Sequence, residues 1–129
     1  MREDWRSAVN NGDYVNVANL LAEGVEINQR DRYGQTALML AARHGRAEVV
    51  RFLLDYTADL DATAKYGLSA LMLAVVYQHS KVVKQLVDAG ANTQLRGSGA
   101  PGFSGKTARE LAEQSGLTEI AGYLTRTSS

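Results

Sequence analysis

The chain has 129 residues, 45% hydrophobic and 22% charged, a composition that fits one folded domain and excludes a disordered or membrane-embedded chain. Its 14 basic and 14 acidic residues cancel, so no net positive field favours a nucleic-acid backbone, and no nucleic-acid partner is expected. There is no cysteine, which removes disulfides and thiolate metal sites and suits a reducing compartment.

The first segment, "MREDWRSAVNNG", lacks the apolar run of a signal peptide, and no later stretch approaches the roughly 20 apolar residues that span a bilayer. A soluble cytoplasmic protein with no membrane contact is therefore expected. Further along, residues 31–63 ("DRYGQTALMLAARHGRAEVVRFLLDYTADLDAT") match residues 64–96 at 12 of 33 positions, including Ala37–Ala41 against Ala70–Ala74. The frame extends upstream, where Gly12 lies 33 residues before Gly45, and downstream to "GKTARELAEQSGLTEIAGYL" once five residues are inserted. Four units result, at about 1–30, 31–63, 64–96 and 97–126, the last with an extended loop over 97–105; residues 127–129 are expected to be a disordered tail.

Each unit predicts two short helices and a turn. In the second unit Leu38, Ala41 and Ala42 fall on one helical face, Thr36 stands where it can cap the helix, and Gly45 ends it. Val49, Val50, Leu53 and Leu54 form the apolar side of a second helix, whose Glu48, Arg51 and Asp55 face solvent. Ser69 and Thr107 repeat the cap, and Gly24 and Gly90 stop second helices. Thr57 stands in that glycine slot, Gln78 in the slot of Gly45, and Ala64 in that of Asp31. Thr57 is accordingly expected at positive φ. Trp5 takes the position of Leu38 and is expected to plug the first end, while Arg109 takes it in the last unit, where nothing stacks beyond.

The pattern resembles the ankyrin repeat. The family's Asp-x-x-Gly-x-Thr-Pro-Leu-His-x-Ala-Ala is present as "DRYGQTALMLAA", with Ala37 for proline and Met39 for histidine, and its Gly-His-x-Glu-Val-Val-x-x-Leu-Leu as "GRAEVVRFLL". The resemblance implies an all-α solenoid of stacked helix-turn-helix units with projecting hairpin-like fingers. It also implies a structural role for His79, which matches a histidine position of the family.

"APGFSGKT", Ala100 to Thr107, fits a loose phosphate-loop pattern. The residues leading in are turn formers rather than a buried strand, and Gly105-Lys106-Thr107 align with Gly34-Gln35-Thr36, so a finger turn and helix cap are expected in preference to nucleotide binding. No other constellation suggests catalysis, a cofactor or a metal. His44 and His79 lack ligand-spaced partners, Asp59 and Asp61 lie in an inter-unit turn, and Glu110 and Glu113 are placed on the last, solvated helix.

The resemblance implies instead a protein partner on the concave side, touched by finger tips and the ends of first helices. Those positions are Arg32, Tyr33 and Gln35, then Lys65, Tyr66 and Leu68 on the fingers. On the helix ends they are Arg43 and His44, then Val76 and Tyr77, with Asn10, Asn11, Gln114 and Ser115 at the outer units. Tyrosine and arginine are enriched at interface hot spots. Arg32, Arg43, Lys65 and a half-charged His44 favour a mildly acidic partner. Two readings of Phe103 stand, a partner anchor or part of a tolerated insertion; Tyr33 and Tyr66 either touch the partner or pack across neighbouring fingers. A monomer is expected, with self-association through the stack ends as the alternative.

Overall fold

The computed structural model describes residues 1–99 and 102–127. Its eight α-helices are α1 (Glu3–Asn11), α2 (Tyr14–Ala22), α3 (Ala37–His44), α4 (Ala47–Asp55), α5 (Ala70–Val76), α6 (Ser80–Asp88), α7 (Ala108–Gln114) and α8 (Thr118–Thr127). They form four helix pairs. The first helices stack in the order α1, α3, α5, α7 and the second helices in the order α2, α4, α6, α8. Thr127, placed in a disordered tail by the sequence, is the last residue of α8; Ser128 and Ser129 lie outside the described residues, as do Ala100 and Pro101 of the extended loop.

Side-chain caps set the starts of the first helices. The buried hydroxyls of Thr36, Ser69 and Thr107 accept from the N–H groups of Met39, Met72 and Glu110 at 3.4, 3.2 and 3.3 Å. Each such cap contributes about 1 kcal/mol. Left-handed residues set the ends: Gly12, Gly45, Gln78 and Gly116 have φ of 70°, 68°, 64° and 71°. Gln78 therefore adopts the glycine geometry of its slot without being glycine. Thr57 does likewise at φ 59°, where Gly24 and Gly90 have 89° and 98°.

No pair covers its own apolar faces, so the core runs continuously through the stack. Leu38, Leu71, Val50, Val83, Leu53 and Leu86 are all buried along it. Trp5 closes the first end fully buried in the slot of Leu38, as expected, although its indole N–H finds no acceptor. Arg109 is exposed on α7, with Glu113 at 3.8 Å one turn on.

The units are also tied by polar contacts recurring at the repeat spacing. Arg46 Nε donates to Asn10 O at 3.0 Å, and His79 Nε2 lies 3.0 Å from Arg43 O, each side chain reaching back to the end of the preceding first helix. Asp59 N–H donates to Asn28 Oδ1 at 2.9 Å and Asn92 N–H to Asp61 Oδ1 at 2.8 Å, so Asp61 serves the inter-unit turns. Among the described residues there is no β-sheet, only isolated bridges pairing Thr63 with Ser69 and Gly97 with Ser104 at the bases of fingers.

Candidate functional site

Each finger is a tight turn closed at its base. Asp31 N–H donates to Gln35 O and Gly34 N–H to Asp31 O; Ala64, Leu68 and Gly67 repeat the pattern one unit later. In the second unit the Asp31 carboxylate also accepts from Tyr33 N–H at 2.9 Å and Gln35 N–H at 2.8 Å. Ala64 offers no such acceptor, and there Tyr66 takes a left-handed φ of 66°. The fourth finger keeps the same base. Arg30 clamps Gly34 O, and Arg96, in the equivalent position, clamps Gly105 O. Gly97 leaves room for Phe103 in this finger: a Cβ on Gly97 would lie 2.5 Å from Phe103 O. Ser98 N–H donates to Tyr66 O at 2.7 Å, which joins this longer finger to its neighbour.

Between these fingers and the first helices lies a groove of about 400 Å³. Tyr33, Gln35, Lys65, Tyr66 and Leu68 line it from the second and third fingers, Arg43, Val76 and Tyr77 from helix ends, and Phe103 from the extended finger. Nine of the fifteen positions singled out in the sequence thus share one cavity. Asn10, Asn11, Gln114 and Ser115 of the outer units do not line it, nor do Arg32 and His44. Arg32 lines a separate cleft beside Met1 and Glu3, with Tyr33 as the dividing wall, and His44 is exposed at the end of α3 without lining the groove. Ala64 and Leu73 also line the groove. Leu73 was missed because it belongs to the invariant Leu-Met-Leu block, which reads as core, and it is indeed buried.

The tyrosines are well exposed, Tyr33 at 56%, Tyr66 at 39% and Tyr77 at 44%. A cation lies over each: Arg32 over Tyr33 at 5.0 Å, Lys65 over Tyr66 at 5.1 Å and Arg43 over Tyr77 at 5.2 Å. Among the described residues none of these three cations forms an ion pair, and no carboxylate lines the groove. His44 is not half-charged near neutrality. Burial, and then the charges of Arg43, Arg46 and His79, hold its pKa below the ordinary histidine value.

The ankyrin-repeat family profile, describing three repeat copies, matches residues 6–97. The chain belongs to the ankyrin-repeat family. Over 57 residues it is 44% identical to mouse (Mus musculus) ankyrin repeat, SAM and basic leucine zipper domain-containing protein 1, a match covering 44% of this chain and 12% of that protein. Over 52 residues it is 46% identical to the probable E3 ubiquitin-protein ligase XBOS32 of Oryza sativa subsp. japonica, covering 40% and 10%. Over 51 residues it is 41% identical to the inactive serine/threonine-protein kinase TEX14 of Bos taurus, covering 40% and 3%. The matches thus span about an eighth or less of these relatives' lengths. Ankyrin repeats generally serve as protein–protein interaction modules.

The ankyrin frame also accounts for the Gly-Lys-Thr. Thr107 is the buried cap of α7, and its Oγ1 and N–H both contact Glu110 Oε1 at 3.1 Å, a complete capping box. Glu110 and Glu113 therefore sit on α7, not on the last helix, and the Thr107 contacts hold the Glu110 pKa below its usual range. Lys106 Nζ is tethered to Gln114 Oε1. Among the described residues, no three of His, Asp and Glu are grouped to hold a metal, and no helix is long and apolar enough to cross a membrane.

Proposed function

We propose that this ankyrin domain is a non-enzymatic module that holds a protein partner in the groove between its second, third and extended fingers. It acts as a cytoplasmic monomer, and the partner surface it meets is mildly acidic. One observation carries the reading: eight positions chosen from the repeat frame, joined by Phe103 of the inserted loop, converge on a single cavity walled by exposed tyrosines and half-buried leucine, valine and phenylalanine. Aromatic side chains around a desolvated centre are the usual energetic core of an interface. Phe103 completes the wall, which favours its reading as an anchor.

The test is affinity capture from a lysate of the source cell, comparing the native chain with a Tyr33→Ala/Tyr66→Ala/Tyr77→Ala variant of matched thermal stability. A protein kept by the first and lost by the second is the expected result. Equal retention would move the site off the groove. Sedimentation velocity over a range of concentrations should give the mass of one chain; a mass that grows with concentration would favour self-association.

A further inference from the structure

Resting on that reading, we infer that the groove receives a short linear segment of the partner, in which carboxylates flank one bulky apolar side chain. The floor calls for the apolar group. Leu68, Leu73 and Val76 give the groove an apolar patch, and its volume of about 400 Å³ lies on the scale of ligand pockets, roughly 300–1,000 Å³.

The rim calls for the carboxylates. Arg43 stands on the helix wall and Lys65 on the finger wall opposite, neither in an ion pair, with no acid between them. The Arg43 guanidinium lies 5.2 Å from the centre of the Tyr77 ring, and a cation held by an aromatic face keeps its N–H donors for a carboxylate. A basic segment would meet uncompensated positive charge, and a neutral one would leave both cations unanswered while covering them.

Gln35 adds a third requirement. It lines the groove, yet its Oε1 is buried and accepts no hydrogen bond. The terminal torsion of glutamine is soft, so the amide can turn outward and accept a backbone N–H, which an extended segment supplies and a side-chain-coated folded surface rarely does.

A random twelve-residue peptide library displayed on phage would be selected against the whole chain. The recovered peptides would be synthesised and titrated by fluorescence anisotropy against three proteins: the native chain, Arg43→Glu/Lys65→Glu and Tyr33→Ala/Tyr77→Ala. All substituted residues are solvent-accessible, and circular dichroism melts would verify that each variant is folded. The expected peptides carry Asp or Glu around one bulky apolar residue. Their affinity should fall tenfold or more in either variant, when that residue becomes alanine, and with rising salt.

Peptides lost in the tyrosine variant but indifferent to charge reversal would overturn the acidic segment and leave the groove as the binding site. A library that yields nothing would overturn the linear segment, leaving a folded partner for the same groove. Peptides indifferent to both variants would overturn the inference and place peptide binding away from the groove.

Discussion

Thr57 holds a backbone conformation that its neighbours in the repeat frame give to glycine. A Cβ at Gly24 or Gly90 would meet nothing within 4 Å, so the cost of threonine in this slot lies in the backbone rather than in crowding, at about 1 kcal/mol. The Thr57 hydroxyl recovers part of it by donating to Tyr56 O at 2.7 Å. Thr57→Gly should raise the melting temperature by about 2–4 °C in calorimetry; no rise would mean that this bond and the stiffer unfolded chain of threonine cancel the strain. His44 supplies a pH dependence. Its folded pKa lies below the ordinary value of 6.5, so the unfolded chain binds the proton first as pH falls. Stability is unaffected by this group above about pH 6.5 and declines below it. In His44→Gln, the loss of melting temperature between neutral and mildly acidic buffer should be smaller than in the native chain.

At the scale of the element, the second and third fingers have the same length and differ in one anchor. Asp31 binds two N–H groups of its turn, and without that acceptor Tyr66 becomes left-handed. Ala64→Asp restores the acceptor and should raise the denaturation midpoint by the equivalent of about 1 kcal/mol, the net worth of a hydrogen bond to a charged group less its desolvation. It also puts a negative charge at the groove, so binding of an acidic segment should weaken as the fold strengthens. The helix-joining glycines differ in another way. A Cβ on Gly45 would lie 2.5 Å from the His79 ring, whereas one on Gly116 meets nothing within 4 Å. Gly45→Ala should therefore cost about 2 kcal/mol or more and Gly116→Ala about 1, compared by urea unfolding. Helices, caps and glycine slots were legible because they repeat at a fixed spacing. The turn of Tyr66 was not: the frame marks the loss of Asp31's counterpart at Ala64, but not the left-handed backbone that the turn adopts there.

Across the whole molecule, the repeat frame located the residues of the groove without locating the groove. That Phe103 meets the wall built by Tyr66 and Tyr77 depends on the course of an insertion, for which no other unit supplies a template. The cations over the tyrosines were equally hidden, because rotamers decide them. In the fourth unit the position of Arg46 and His79 is Leu117, which brings no polar group back to the preceding helix. The junction between third and fourth units thus lacks this first-helix tie and is held instead by Ser98 N–H donating to Tyr66 O and the Tyr123 hydroxyl to Asp88 Oδ1, both at its exposed edges. In a linear array each junction couples only its neighbours, so the weakest one sets where the array opens. Amide hydrogen exchange should show α7 and α8 exchanging together, ahead of α3 to α6; uniform rates along the stack would contradict this. The groove spans that same junction, with Phe103 on one side and Tyr66 on the other. An occupant would accordingly slow exchange most in α7 and α8, far from most of the side chains it touches, and would act as the missing fourth-unit fastener.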